Sequence, residues 1–300
     1  MRRTSMHTRK QLLALFLIFI ISCGTTAAAS APDKMTVEEL VAKHLASIGS
    51  AEALASAKTR VAIGNAKFLS LSKATRNIEG VCQFASDGDK VLLAIIFNLI
   101  DYPYEKAGYD GQKMTVALLE GTGARTALGS FLMSKDAVFK QGLIGGTLSS
   151  AWPLLDVASK KPKLSYSGTE KINGREVHKL KYSAKGAGDF QVSFFFDGET
   201  FHHVRTEYQY VIANRMGARP DSSVEGPATN TGSQTLVRNK LIEEFSDFKA
   251  EGGLTLPHTY KIRLTIDAQT TVLLEWVMNF KQFAYNQPID ASAFNVAATK

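Results

Sequence analysis

The chain has 300 residues, of which 45% are hydrophobic, 21% charged and 9% aromatic. A chain of this length buries about 70–75% of its unfolded surface, so it needs neither disulfides nor metals to hold a core. The composition excludes a disordered chain, a collagen and a disulfide scaffold, and two cysteines, Cys23 and Cys82, are too few for a four-thiolate zinc site. The net charge of +7 belongs mostly to the N-terminus: removing residues 1–22 takes away Arg2, Arg3, Arg9 and Lys10 and no acid, leaving 31 basic against 28 acidic residues. A nucleic-acid partner therefore loses its main support, and none is expected.

The basic start leads into an uninterrupted apolar run of ten residues, Leu12–Ile21. Spanning the hydrocarbon of a membrane takes roughly 20 residues, so the run is too short for an anchor and reads as the apolar core of a secretory signal. Two cuts are open. Ile20-Ile21-Ser22-Cys23 resembles a bacterial lipobox, which would make residues 1–22 the signal and Cys23 the acylated N-terminus. Ala27-Ala28-Ala29 offers ordinary cleavage after Ala29. The first predicts a protein tethered to the bacterial envelope membrane, at the outer membrane facing the periplasm; the second, a soluble periplasmic one.

Residues 36–49 read as a helix, with Thr36 and Glu39 as a capping box, Met35 and Leu40 as a hydrophobic staple, and Gly49 as the residue that ends it. A short helix follows at about 51–58. From Arg60 the period changes to two. Asp87-Gly88, Asp110-Gly111, Asn173-Gly174 and Asp197-Gly198 mark tight hairpins, and Gly252-Gly253 adds a weaker signal. Alternating stretches such as Val204–Ile212, Tyr260–Ile266 and Val272–Phe280 hide one face and wet the other, which is antiparallel behaviour. About eleven strands are expected, five before residue 120 and six over about 163–284, forming one curled sheet or incomplete barrel. Val91–Phe97 is apolar on both faces and needs cover on both, or one face lines a dry cavity.

Residues 126–157 interrupt the sheet with two or three short helices broken at Gly142 and Gly145-Gly146. Phe131, Phe139, Leu143, Leu148, Trp152 and Leu155 are their apolar side chains, expected to face the concave side and to line a pocket of several hundred Å³. Residues 213–236, rich in Gly, Ser, Asn, Thr and Pro, read as a long loop.

No nucleophile elbow, Walker loop or zinc-protease helix occurs. His202 and His203 are adjacent in a strand and point to opposite faces, so they cannot chelate one metal. Asp87 and Asp89 flank Gly88 as turn residues, and Cys82 reads as a small hydrophobe in a strand. No catalytic residue, cofactor or metal site is expected.

The opening Thr36–Phe68 is similar to the helix and first strand of the bacterial outer-membrane lipoprotein-sorting proteins, the LolA/LolB-like family. Phe245-Ser246-Asp247-Phe248 with Gly253–Pro257 resembles that family's late hairpin. Phe283–Asp290 with Phe294 resembles its closing strand and tail. The resemblance covers residues 35–300 as one domain. It implies an incomplete, strongly curved barrel whose helices cover an apolar interior that holds acyl chains, with a lipoprotein or another lipid as cargo; the chain is expected to be a monomer. The rival expectation is a non-enzymatic structural or interaction protein of the envelope, its interior filled by its own side chains and its 213–236 loop contacting a partner.

Overall fold

The structure, a computed structural model, describes residues 35–71, 76–183, 190–215, 234–268 and 270–297. The predicted export signal, Cys23, the predicted cut after Ala29 and most of the predicted 213–236 loop lie outside the described residues.

Helix α1, Val37–Ile48, starts as predicted: Thr36 Oγ1 accepts the Glu39 amide at 3.1 Å, and the stripe Leu40, Val41, His44, Ile48 is buried. Gly49 corrects one expectation. Its φ of 166° is ordinary extended backbone rather than the left-handed cap. It pairs as an isolated bridge with Leu254, where a Cβ would stand 2.9 Å from the Gly253 carbonyl oxygen. A second helix, α2, covers Ala51–Ser56.

Twelve strands follow: β1 Thr59–Ser70, β2 Arg76–Asp87, β3 Lys90–Phe97, β4 Tyr104–Tyr109, β5 Met114–Val116, β6 Lys163–Ile172, β7 Arg175–Ser183, β8 Gln191–Asp197, β9 His203–Arg215, β10 Gln234–Glu251, β11 Leu254–Asp267 and β12 Thr271–Tyr285. All join one open antiparallel sheet in the order β5-β4-β3-β2-β1-β12-β11-β10-β9-β8-β7-β6. The five strands before residue 120 match the expectation; seven rather than six follow the insert. β10 opens inside the predicted 213–236 loop, where Gln234 already pairs with Arg215 on β9.

The first and last strands meet in the middle of the sheet, from Arg60 opposite Tyr285 to Ser70 opposite Leu274. The two edges, β5 and β6, are therefore consecutive in sequence, and the insert that joins them must travel from one edge to the other. It contains α3 (Ala127–Ser134), α4 (Ala137–Lys140), 3-10 turns at Gly146–Leu148 and Pro153–Asp156, and α5 (Val157–Lys160), more and shorter pieces than expected. The insert also reports the curvature. Thr126 at the start of α3 bonds Glu105 on β4, and Ser134 at its end bonds Tyr210 on β9 at 3.1 Å. In a flat sheet those strands, seven places apart, would lie about 34 Å from each other, whereas eight helical residues span about 12 Å. The sheet must curl round the insert for both bonds to form.

β3 has cover on both faces. Val91, Leu93 and Ile95 join the interior core, while Leu92 and Ala94 lie under the C-terminal Phe294 and Val296. Two hairpins are two-residue turns with positive φ at both positions, Asn173-Gly174 (51° and 81°) and Gly252-Gly253 (57° and 88°). Asp197-Gly198 is not one. Its loop runs over 198–202, Gly198 has no positive φ, and the Asp197 carboxylate accepts the amides of Glu199 and Thr200 at 3.1 and 2.8 Å. The aspartate builds a side-chain turn in place of a type I′ turn. Gly174→Val puts a β-branched residue at φ 81° and is expected to lower stability by about 1 kcal/mol or more, measured by urea unfolding.

Candidate ligand-binding face and the insert that covers it

One face of the sheet and the insert share a single core. Inward side chains from β1–β4 and β7–β12, together with α1, pack against Leu128, Phe131, Leu132, Val138, Phe139, Leu143, Ile144, Leu148, Trp152 and Leu154. Phe131, Phe139, Leu143, Leu148 and Trp152 are no more than 4% exposed. Leu155 is half-buried at the margin. The Phe131 ring lies 5.4 Å from Tyr210, and Trp152 sits 4.6 Å from Phe194 and stacks on His203 at 4.7 Å.

Four polar side chains fasten this apolar insert, and none of them stood out in the sequence. Glu243, on β10, is fully buried. Its carboxylate accepts the Gly145 amide at 2.8 Å, the Tyr208 hydroxyl at 2.5 Å and the Tyr260 hydroxyl. Burial pushes its pKa up to about 7 against the pull of those hydrogen bonds. Gly145 has φ 76°, and a Cβ there would meet the Phe84 ring at 2.2 Å, so only glycine fits where the insert touches both Glu243 and β2.

Arg60, on β1, is the second. It is 3% exposed, its Nη1 donates to the Thr147 and Ser149 carbonyls at 2.8 and 3.4 Å, and its Nε has no partner. Burial lowers its pKa to about 10, so it stays cationic at neutral pH. The third, Glu105 on β4, is held up at about 7 by burial and accepts the Thr126 and Tyr102 hydroxyls, both at 2.5 Å. Thr126 in turn caps α3 through the Gly129 amide at 3.0 Å. The fourth is His44 on α1. Its Nδ1 is 3.0 Å from the Phe201 carbonyl and its Nε2 accepts the Trp152 indole N–H at 3.2 Å, which fixes the neutral tautomer with the proton on Nδ1. Burial drops its pKa to about 4.

Strand phase could have found Glu243: Leu241 and Phe245 are its period-two neighbours and both point inward. The adjacent Glu244 conceals it by pointing outward to Arg205.

The remaining sequence candidates fall where chemistry is not expected. His203 is buried with Nε2 3.0 Å from Thr206 Oγ1, while His202 stacks on Phe248 at 4.4 Å, so the adjacent pair does part. Asp87 pairs with Lys90 and Asp89 with Lys160. Cys82 Sγ lies 3.5 Å from the Asn65 carbonyl, and burial raises its pKa to about 12, as for an inert core thiol. Among the described residues no cluster of three metal-ligating side chains occurs, and no helix is long and apolar enough to cross a membrane.

The arrangement is an apolar trough covered by an apolar segment that is held at a few polar points. No protein-family model matches the sequence, and no curated protein matches it. Solved structures do. The chain is similar to a LolA superfamily protein from Nitrosomonas europaea at 10% identity and a TM-score of 0.44, over 87% of this chain and 98% of that one. It is similar to an outer membrane lipoprotein-sorting protein domain from Vibrio parahaemolyticus at 12% identity and a TM-score of 0.41, over 86% and 95%. It is also similar to the lipoprotein LppX from Mycobacterium tuberculosis at 11% identity and a TM-score of 0.24, over 85% and 100%. At these identities and TM-scores the likeness carries no argument about function, which rests on this chain's own side chains.

Proposed function

We propose that the protein is an exported carrier or acceptor of acyl chains, from a lipoprotein or another lipid, and that it binds rather than catalyses. The observation that carries the reading is the insert. It joins the two sheet edges, lays Phe131, Phe139, Leu143, Leu148 and Trp152 on the concave face, and is interrupted by Gly142, Gly145 and Gly146, all with positive φ. An acyl chain asks for such a surface and for no hydrogen bonds, and each buried methylene contributes about 0.8 kcal/mol. Buried as they are, the insert's side chains let it fill the trough itself. Cargo enters by displacing it, the apolar side chains exchanging one apolar contact for another.

Saturable binding of a fluorescent fatty acid to the mature protein tests this; absence of saturable binding contradicts it. The second reading, an envelope protein with a permanently filled core, is favoured by one observation: the five insert side chains are at most 4% exposed. Membrane attachment through acylated Cys23, with the domain facing the periplasm, belongs to the same proposal. Cys23→Ala is expected to release the protein from membranes or leave the signal uncut, and intact mass showing an unmodified start at Ser30 would contradict the tether.

A further inference from the structure

Beside the insert lies a hollow of about 330 Å³ with two kinds of wall. Leu54 and Ala57, from α2 and the turn after it, and Leu155 from the insert are apolar; Lys58 and Arg60 are cationic. Its one acid, Asp87, is taken up by Lys90 at 3.1 Å. Arg60 is the unusual member. It is a buried guanidinium with no carboxylate against it, its Nε has no partner, and its Nη1 is satisfied only by the neutral Thr147 and Ser149 carbonyls of the insert. A buried cation without a counter-charge is costly. A guanidinium presents a planar fork of donors that matches a carboxylate or a phosphate. Both carbonyl oxygens are held by Nη1 alone, as uncharged partners on one nitrogen, with Nε left over, and they leave with the insert when it moves.

We infer that this hollow is the headgroup subsite of the carrier: Arg60, assisted by Lys58 at the rim, takes the anionic oxygens of an amphiphile, carboxylate or phosphate, whose chain runs under the insert. The inference rests on the acyl-chain reading above and narrows the cargo to anionic lipids. It also gives the insert a trigger. An arriving anion competes with Thr147 and Ser149 for Arg60, so binding the head loosens the segment that covers the chain site. Lys58 adds a positive field at the entrance, which raises the local concentration of anions at low salt.

The test displaces a fluorescent fatty acid from the mature chain with four probes: palmitate, the alcohol of the same chain length, the lysophosphatidic acid of that chain, and inorganic phosphate alone. Palmitate and the lysophosphatidic acid are expected to bind at least roughly tenfold more tightly than the alcohol, the range of a charge-assisted hydrogen bond. Phosphate alone is expected not to compete. Arg60→Gln should bring acid and alcohol to similar affinity while alcohol binding persists, with its melting checked. Lys58→Gln, at an exposed position, should reduce the preference by a smaller, salt-dependent factor. The wild-type probe series decides the matter even if Arg60→Gln fails to fold. Equal affinity for acid and alcohol overturns the subsite and leaves the carrier reading standing. Competition by inorganic phosphate reassigns the hollow to a free anion and overturns the lipid headgroup. Failure of every amphiphile to bind overturns both.

Discussion

Glu243→Gln is expected to leave stability nearly unchanged at pH 5 and to raise it above that of the wild type at pH 8. Burial lifts the Glu243 pKa from 4.5 to about 7. A carboxyl whose folded pKa lies above its unfolded one binds its proton more tightly in the folded state. Its favourable contribution is complete below about pH 4.5 and is lost as the pH rises through about 7. Glutamine does not titrate, so the stability difference between variant and wild type opens across that window, by about 2–3 kcal/mol in the limit of full burial. His44 and His203, lowered by burial, titrate in the opposite sense, losing stability as the pH falls, but they are common to both proteins and cancel in the difference. Glu243→Leu separates charge from hydrogen bonding. It orphans the Gly145 amide and the Tyr208 and Tyr260 hydroxyls and is expected to lie about 3 kcal/mol or more below Glu243→Gln at every pH, since neither replacement titrates. Thermal melts of the three proteins at pH 5 and pH 8 give both results. A stability difference between Glu243→Gln and wild type that does not change with pH would show that the carboxylate is not the buried, charge-bearing fastener described above.

Trp152→Ala is expected to cost about 3–5 kcal/mol, because the indole is wholly buried against Phe194, His203 and His44 and its removal leaves a cavity that a multiply anchored insert cannot close. The same variant distinguishes the two functional readings. If the insert competes with cargo for the trough, weakening its grip makes displacement easier, so the variant binds a fatty acid more tightly than the wild type. The fatty acid then recovers part of the lost melting temperature by mass action. If the interior is a permanent core, the variant melts earlier and no ligand restores it.

Much of the scaffold was legible because local chemistry fixed it. Thr36 and Glu39 announced α1, Asn173-Gly174 announced a hairpin, and the alternation over Tyr260–Ile266 announced a strand with one wet face. Gly252-Gly253, the weaker signal, made a two-residue turn where the stronger Asp197-Gly198 did not, since Asp197 spends its carboxylate on the amides of Glu199 and Thr200. The resemblance to the lipoprotein-sorting proteins was carried by three short stretches taken in order, the opening helix and strand, the late hairpin and the closing strand. The fasteners were not legible. Whether Glu243 faces in or out depends on the phase of β10, and Glu244 beside it supplies the opposite answer from the same residue type. Arg60 lies at the start of β1, where the inward neighbours Ala62, Gly64 and Ala66 give a weak phase signal. Its partners, Thr147 and Ser149, are almost ninety residues away. Nor can a sequence tell a trough that is empty from one that its own insert fills, because that depends on volumes set by the curled sheet.

The central claim is that the insert and an acyl chain occupy the same trough in turn. Trp152 reports on it directly, because the chain has only two tryptophans and the other, Trp276, sits on the sheet. In Trp276→Phe protein, with folding verified by its melt, titration with a fatty acid is predicted to shift the Trp152 emission to the red and to saturate, as the indole leaves His44, Phe194 and His203. An emission spectrum that stays unchanged while the fatty acid binds, or no saturable binding at all, would contradict the account.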